Sequence, residues 1–188
     1  PKPSSAASDV YKRQLVAPEE TIEWLTNVVG PIEVRELAGF PIAVAQTMPL
    51  AATVGFSAED TGLTLDSDGT TSVRCELVCG GGSAEQRAMA LAGTWNTLRD
   101  AEITAQPGAL LPRLIDDPDL TVHHGLLREP QLFDQGTPTF TEQGQMTLLL
   151  ELVLLTDDEY EIVSEQGPDV LERRLRRRRT DLGDWGRD

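Results

Sequence analysis

The chain has 188 residues, of which 39% are hydrophobic and 25% are charged, values typical of a folded globular protein rather than a disordered one. Its 31 Asp and Glu residues outnumber 16 Lys and Arg residues, which gives a formal net charge of -15. Such a surface repels phosphate backbones and acidic lipid headgroups, so nucleic-acid and membrane binding are excluded as general functions. A basic protein partner or simple solubility would explain the acidity.

The first 14 residues are expected not to belong to the fold. Residues 4–14, SSAASDVYKRQ, resemble translated library-adaptor sequence, and they lack any apolar periodicity. We therefore predict one domain over residues 15–188 and a non-native or disordered segment over residues 1–14. Removing that segment should leave stability unchanged.

The first predicted helix begins at Pro18, because a proline followed by Glu19 and Glu20 suits the positive end of a helix dipole. Apolar residues then recur at helical spacing until Gly30 and Pro31 end the segment.

Four strands are predicted next, at residues 32–37, 42–47 and 51–56 and around Cys75, after the turn DSDG at residues 66–69. In the fourth strand apolar and charged residues alternate, which places Cys75 and Leu77 on one face and Arg74 and Glu76 on the other. A sheet with one water-exposed face is predicted.

The only two cysteines, Cys75 and Cys79, lie four residues apart on this strand. That spacing corresponds to roughly 13 Å, which is too far for a disulfide. A single C-x-x-x-C without a second pair of ligands is also a poor zinc site. We predict two buried, reduced thiols, which suit a reducing cytoplasm.

Three glycines at residues 80–82 precede the predicted main core helix, whose start is marked by a capping box of Ser83 and Gln86. An apolar stripe continues to Ile103, and the helix is expected to stop before residues 107–108. Glycines between a strand and a helix can cradle a phosphate. These lack the spacing of a P-loop or a dinucleotide fold, so a flexible turn and no cofactor are predicted.

Two further strands are predicted at residues 120–127 and 146–155. The second is almost entirely apolar, so it should lie centrally in the sheet under the helix of residues 83–105. Thr156 and Glu159 form a second capping box, and Pro168 starts a last helix. The fold class is therefore α+β, a mostly antiparallel or mixed sheet with a long core helix and C-terminal helices packed on it.

The candidate catalytic or metal-binding residues are His123 and His124, the only histidines, which follow three aspartates: Asp116, Asp117 and Asp119. Neighbouring residues on a strand point to opposite faces, so the two histidines cannot chelate one ion without a bend. No G-x-S-x-G nucleophile motif accompanies them. A hydrolase that uses these residues is the less favoured alternative, and no catalytic, metal or cofactor site is assigned.

The last helix carries six arginines: Arg173, Arg174, Arg176, Arg177, Arg178 and Arg179. Considered alone, they would indicate a nucleic-acid patch. The total charge is -15 and these arginines contribute +6, so the rest of the chain carries -21. They also suit the negative end of the helix dipole. Ion pairing with the chain's own carboxylates is the favoured interpretation.

Three stretches together resemble the Suppressor of fused (SUFU-like) domain family: TVGFS at residues 53–57, RCEL at residues 74–77, and the apolar strand that runs into LTDDE at residues 155–159. The long helix through Trp95, the QG pair at 166–167 and the VL pair at 170–171 fit the same order. The similarity covers residues 21–179.

The resemblance implies an α+β binding module without a catalytic site. Animal members hold zinc-finger transcription factors with the help of a second, C-terminal domain, for which this sequence has no room. Bacterial single-domain members are implied to be immunity proteins that neutralise polymorphic toxins, often nucleases. The resemblance thus implies a basic toxin domain as partner, and a regulatory module with another target remains the alternative.

Overall fold

The structure is a computed structural model that describes residues 18–188. The helices, in chain order, are α1 (Pro18–Val29), α2 (Ala84–Asp100), α3 (Asp157–Gln166) and α4 (Pro168–Arg178). The strands are β1 (Ile32–Leu37), β2 (Phe40–Ala45), β3 (Leu50–Thr53), β4 (Ser72–Gly80), β5 (Leu110–Leu111), β6 (Val122–Arg128), β7 (Thr139–Glu142) and β8 (Gln145–Thr156). The predicted α+β class is confirmed.

The described strands form one mixed sheet in the order β1-β2-β3-β4-β8-β6-β5, with β7 added beside β8. Strands β4 and β8 pair in parallel at its centre, and every other pairing is antiparallel. The prediction of a central apolar strand near the C-terminal end is therefore confirmed. Its side chains are buried on both faces, from Leu149 to Leu155.

Helix α2 covers one face of the sheet, where it packs chiefly on β2, β3 and β4 rather than on β8. The residues of β8 on that face, such as Leu150 and Leu152, are covered instead by Leu111 and Leu114, from the segment after α2. The expectation that β8 lies directly under α2 is thus wrong in detail, although both share one core.

The opposite face of the sheet is covered, so the predicted water-exposed face does not exist. Trp24 and Leu25 of α1 pack against Val78 and Leu149 on this side. Glu76 points to the same side and is fully buried. Alternation of polar and apolar residues in β4 therefore does not mark exposure to water.

Both predicted capping boxes are present, at Ser83 with Gln86 and at Thr156 with Glu159. Helix α2 ends at Asp100, earlier than its apolar stripe suggests. Glu102 adopts a left-handed φ of 52°, and the Ile103 N–H donates to the carbonyl of Leu98 at 2.9 Å, which turns the chain.

Strand β3 also ends earlier than predicted, since residues 56–58 form a short 3-10 helix. None of the helices within residues 18–188 is both long and apolar enough to cross a bilayer. The predicted N-terminal segment, residues 1–14, lies outside the described residues, and the single-domain boundary stays a prediction.

Candidate protein-docking site

His124 is held in a structural arrangement rather than beside the aspartates that the sequence offered. Its Nδ1 accepts a hydrogen bond from the Arg113 backbone N–H at 3.1 Å, so Nε2 carries the proton and donates to Asp157 at 2.9 Å. The ring also stacks on Tyr160 with centroids 4.1 Å apart. Both ring nitrogens are thus engaged: Nε2 attaches β6 to α3, and Nδ1 attaches β6 to the segment that follows β5.

The aspartates at 116, 117 and 119 make no ion pair with either histidine in the described structure. His123 contributes a backbone carbonyl, which accepts from the Ile115 N–H at 3.1 Å. No group of three His, Cys, Asp or Glu side chains within residues 18–188 is arranged to hold a metal ion. The one histidine–aspartate pair in the described structure is His124 with Asp157, and the other ring nitrogen of His124 already accepts from the Arg113 N–H, so this imidazole has no free nitrogen to serve as the base of a hydrolase.

Cys75 and Cys79 are free and buried, as the sequence predicted. Burial raises the pKa of Cys79 to about 12, and the neighbouring carboxylate of Glu151 adds to that rise. Burial likewise raises the pKa of Cys75. Because the thiolate is the reactive form, neither residue is placed to act as a nucleophile.

The glycine turn at residues 80–82 is filled by the chain's own C-terminal segment. The indole of Trp185 lies so close that a Cβ at Gly82 would sit 2.6 Å from its Cε3 atom. The Gly82 N–H donates to the carbonyl of Gly183 at 3.0 Å. The turn is therefore closely packed rather than flexible, and no phosphate could use that donor.

Arg187 fixes the same C-terminal segment through a buried ion pair. Its guanidinium donates to both carboxylate oxygens of Glu159, at 2.7 and 3.2 Å, and to the carbonyl of Leu154 at 2.6 Å. Glu159 is also the residue that closes the capping box of α3. The C-terminal segment is thus tied to both α3 and the central strand.

The TVGFS and RCEL motifs meet at one buried carboxyl group, that of Glu76. It accepts hydrogen bonds from the Thr53 hydroxyl and from the backbone N–H groups of Gly55, Phe56 and Ser57. Burial raises the pKa of Glu76, and these hydrogen bonds oppose the rise. This junction is structural, because the Glu76 carboxyl group and the Thr53 side chain that it binds are fully buried.

The surface feature best suited to a partner is a groove of about 550 Å³ between the start of α2 and the segment before β6. We call it the acidic groove; its lining includes Glu85, Met89, Leu114, Ile115, Asp116, Asp117 and Leu120. Met89 is 60% exposed, the most exposed large apolar side chain in the described structure.

Within residues 18–188, no carboxylate of the acidic groove lies within 4 Å of a cationic nitrogen, although Glu85 is near enough to Arg35 to help raise the pKa of that guanidinium. Glu85 and Asp116 are exposed, and Asp117 accepts only the backbone N–H of Asp119 at 3.0 Å. Exposed apolar surface bordered by unpaired charge of one sign is typical of a protein-docking surface. The aspartates singled out in the sequence lie at this surface, not around a histidine.

No family model matches the chain, and no curated protein is similar to it in sequence. Solved structures do match. The structure of a SUFU homologue from Neisseria gonorrhoeae superposes with a TM-score of 0.62 at 12% identity, covering 91% of this chain and 94% of that one. The chain has the Suppressor of fused fold.

Two further structures share the Suppressor of fused fold with this chain. The Sufu–Fu complex gives a TM-score of 0.60 at 14% identity, covering 89% of this chain and 87% of that one. Drosophila Suppressor of Fused gives 0.50 at 15% identity, and the match spans 78% of this chain but only 37% of that protein. The resemblance drawn from the sequence motifs is thereby confirmed at the level of fold.

Proposed function

We propose that this chain is a non-catalytic protein-binding module of the immunity type, which captures a basic toxin domain through the acidic groove. The observation that carries the proposal is the combination, in one groove, of unpaired carboxylates with the exposed Met89. The Suppressor of fused fold supports it, since one structure with that fold is a protein complex.

The chemistry of the groove matches a basic partner rather than a small substrate. Carboxylates such as Glu85 and Asp116 would attract lysines and arginines of a nuclease's nucleic-acid groove and speed the encounter. Met89, Leu114 and Leu120 would then provide the apolar contact that slows dissociation. The buried, reduced thiols fit a protein that works in the cytoplasm.

Stopped-flow mixing with the product of the neighbouring gene tests the proposal, because toxins and their immunity proteins are usually encoded side by side. A groove variant, Glu85→Gln/Asp116→Asn/Asp117→Asn, is compared with a matched variant of equal net charge, Asp134→Asn/Glu161→Gln/Glu165→Gln, whose three carboxylates are also exposed. At 0.05 M salt the groove variant should associate about tenfold more slowly than the matched variant. The difference should shrink at 0.5 M salt, where screening is stronger.

Equal slowing by the two variants would show that the groove is not the docking site. An association rate that is independent of salt would leave solubility as the reason for the acidity. If the neighbouring product does not bind, and is also harmless to cells that lack this protein, the immunity function is wrong.

A further inference from the structure

The six arginines of α4 and its C-terminal cap form a second charged surface, which we call the arginine strip: Arg173, Arg174, Arg176, Arg177, Arg178 and Arg179. The ion pairing expected from the sequence is mostly absent. Among the described residues, only Arg176 has a carboxylate within 4 Å, that of Glu172 at 3.8 Å. Arg174 donates to the Gln166 side-chain oxygen at 3.1 Å, and five of the six guanidinium groups lack an anionic partner.

The helix itself does not account for this concentration of charge. Leu171 is buried and Leu175 is half-buried against the sheet, so these two residues anchor α4 while most of the arginines are exposed. Like charges three or four positions apart, as at Arg173 and Arg177, destabilise a helix. The helix dipole favours cations within its last turn, which accounts for Arg176, Arg177 and Arg178 but not for Arg173 and Arg174. An external anion would offset the remaining repulsion.

An apolar groove of about 280 Å³ runs beside the strip, between α4 and β6. Most of its lining is aliphatic, as at Leu126, Val153, Leu155, Leu171 and Leu175, and the polar residues that also line it are Arg128, Glu129, Gln131 and Glu172. Leu171 and Leu175 belong to the helix that carries the arginines. A ligand on the strip can therefore place an apolar side chain in the groove.

We propose that the arginine strip and its neighbouring groove bind a short acidic peptide segment of a partner protein, with one aliphatic side chain inserted in the groove. A guanidinium group can bind a carboxylate through two parallel hydrogen bonds, which the ammonium group of a lysine cannot do. A surface made of arginines is therefore suited to carboxylate ligands. The helical part of the strip, residues 173–178, is about 9 Å long, since each helical residue rises about 1.5 Å. This surface is separate from the acidic groove and does not depend on the immunity function.

A short peptide fits this surface better than a nucleic acid or a membrane does. Either of those would extend past the strip and bring its phosphates against a body whose formal charge, outside the six arginines, is -21. The surface combines a short row of positive charges with a groove for one apolar side chain, which matches a short acidic peptide.

Fluorescence anisotropy with a labelled six-residue peptide, in which Asp and Glu surround one central leucine, tests the proposal. The variant Arg173→Gln/Arg177→Gln/Arg178→Gln should bind at least about tenfold more weakly than the unaltered chain. The matched variant Arg35→Gln/Arg99→Gln/Arg113→Gln removes three exposed arginines elsewhere and should bind within twofold of it. Replacing the peptide's leucine with serine should weaken binding several-fold.

Circular dichroism and melting curves confirm that both variants are folded. Equal weakening by the two variants, or no binding of the peptide at 0.05 M salt, would overturn the proposal. Tighter binding of a twelve-nucleotide single strand, or of vesicles containing phosphatidylserine, would also overturn it and identify a phosphate surface instead.

Discussion

Glu76 shows how a single side chain can join two segments that are distant in sequence. Its Oε1 atom accepts from the N–H groups of Gly55 and Ser57, and its Oε2 atom accepts from the Phe56 N–H and the Thr53 hydroxyl. In return, the Leu77 N–H donates to the Thr53 hydroxyl oxygen at 2.8 Å. The turn after β3 is thus held on β4 by side-chain acceptors.

We expect Glu76→Gln to destabilise the fold by about 2 kcal/mol. An amide keeps one acceptor oxygen and turns an NH₂ group toward a backbone N–H, which leaves at least one buried donor unpaired. Urea unfolding measures the change. Glu36→Gln, at an exposed carboxyl on β1, is the control and should change stability by less than about 0.5 kcal/mol. Equal effects in the two variants would mean that the Glu76 network contributes nothing.

At the scale of elements, the C-terminal segment explains why the turn after β4 is made of glycines. Gly82 has a left-handed φ of 51°, and any Cβ there would overlap the indole of Trp185. Trp185 is 3% exposed, so this segment completes the core instead of trailing from it.

The coupling between Gly82 and Trp185 can be measured by a double-mutant cycle. Gly82→Ala should cost several kcal/mol in the unaltered chain, because it adds a clash to the penalty of about 1–2 kcal/mol for a left-handed backbone. In a Trp185→Ala background the clash disappears, and only the backbone penalty should remain. Gly39→Ala is the control, since Gly39 has a φ of 82° but no atom within 4 Å of the added Cβ. Its cost should be the same in both backgrounds, and a constant cost at Gly82 would contradict the packing.

Local signals predicted the elements of this fold well, and long-range contacts were missed. The capping boxes at Ser83 and Thr156 involve only four neighbouring residues, so the sequence reveals them directly. The burial of Glu76 depends on its hydrogen bonds to residues 53–57, about 20 positions earlier, and the packing of residues 80–82 depends on a tryptophan about 100 positions later, so neither could be inferred from local patterns.

The candidate docking site shows the same difference between local signals, which the sequence reveals, and long-range contacts, which it does not. The sequence draws attention to the aspartates at 116 and 117 because they precede the two histidines. Met89 lines the same groove, but it lies on α2, which the sequence predicts only as a core helix. For the arginines of α4, helical spacing predicts where each residue lies on the helix, but it does not predict whether a carboxylate lies within 4 Å of the guanidinium group. Only the tertiary arrangement shows that most of them lack one.

At the scale of the whole molecule, repulsion among carboxylates should limit stability. The chain has 31 acidic and 16 basic residues, and few of these charges are joined in ion pairs within the described structure. Screening weakens repulsion between exposed charges more than it weakens buried pairs such as Arg187 with Glu159.

We therefore expect the melting temperature to rise by several degrees between 0.02 and 0.5 M NaCl, measured by calorimetry. Potassium chloride should act equally, because the effect is screening and not a specific cation site. A melting temperature that falls with salt would mean that ion pairs outweigh the net repulsion.

The parallel pairing of β4 with β8 also governs how the chain can reach its native state. These two central strands are separated by residues 81–144, and β8 also contacts β6 and β7. Closing a loop of that length costs on the order of 4 kcal/mol of chain entropy before any contact compensates for it. Strands β1 to β3 pair through short hairpin connections, and β4 follows β3 after a longer connection that contains the 3-10 helix, so this part can form early with the β4 edge still open. Folding should therefore be slow for a chain of this size, and exposed to strand-mediated aggregation until β8 docks.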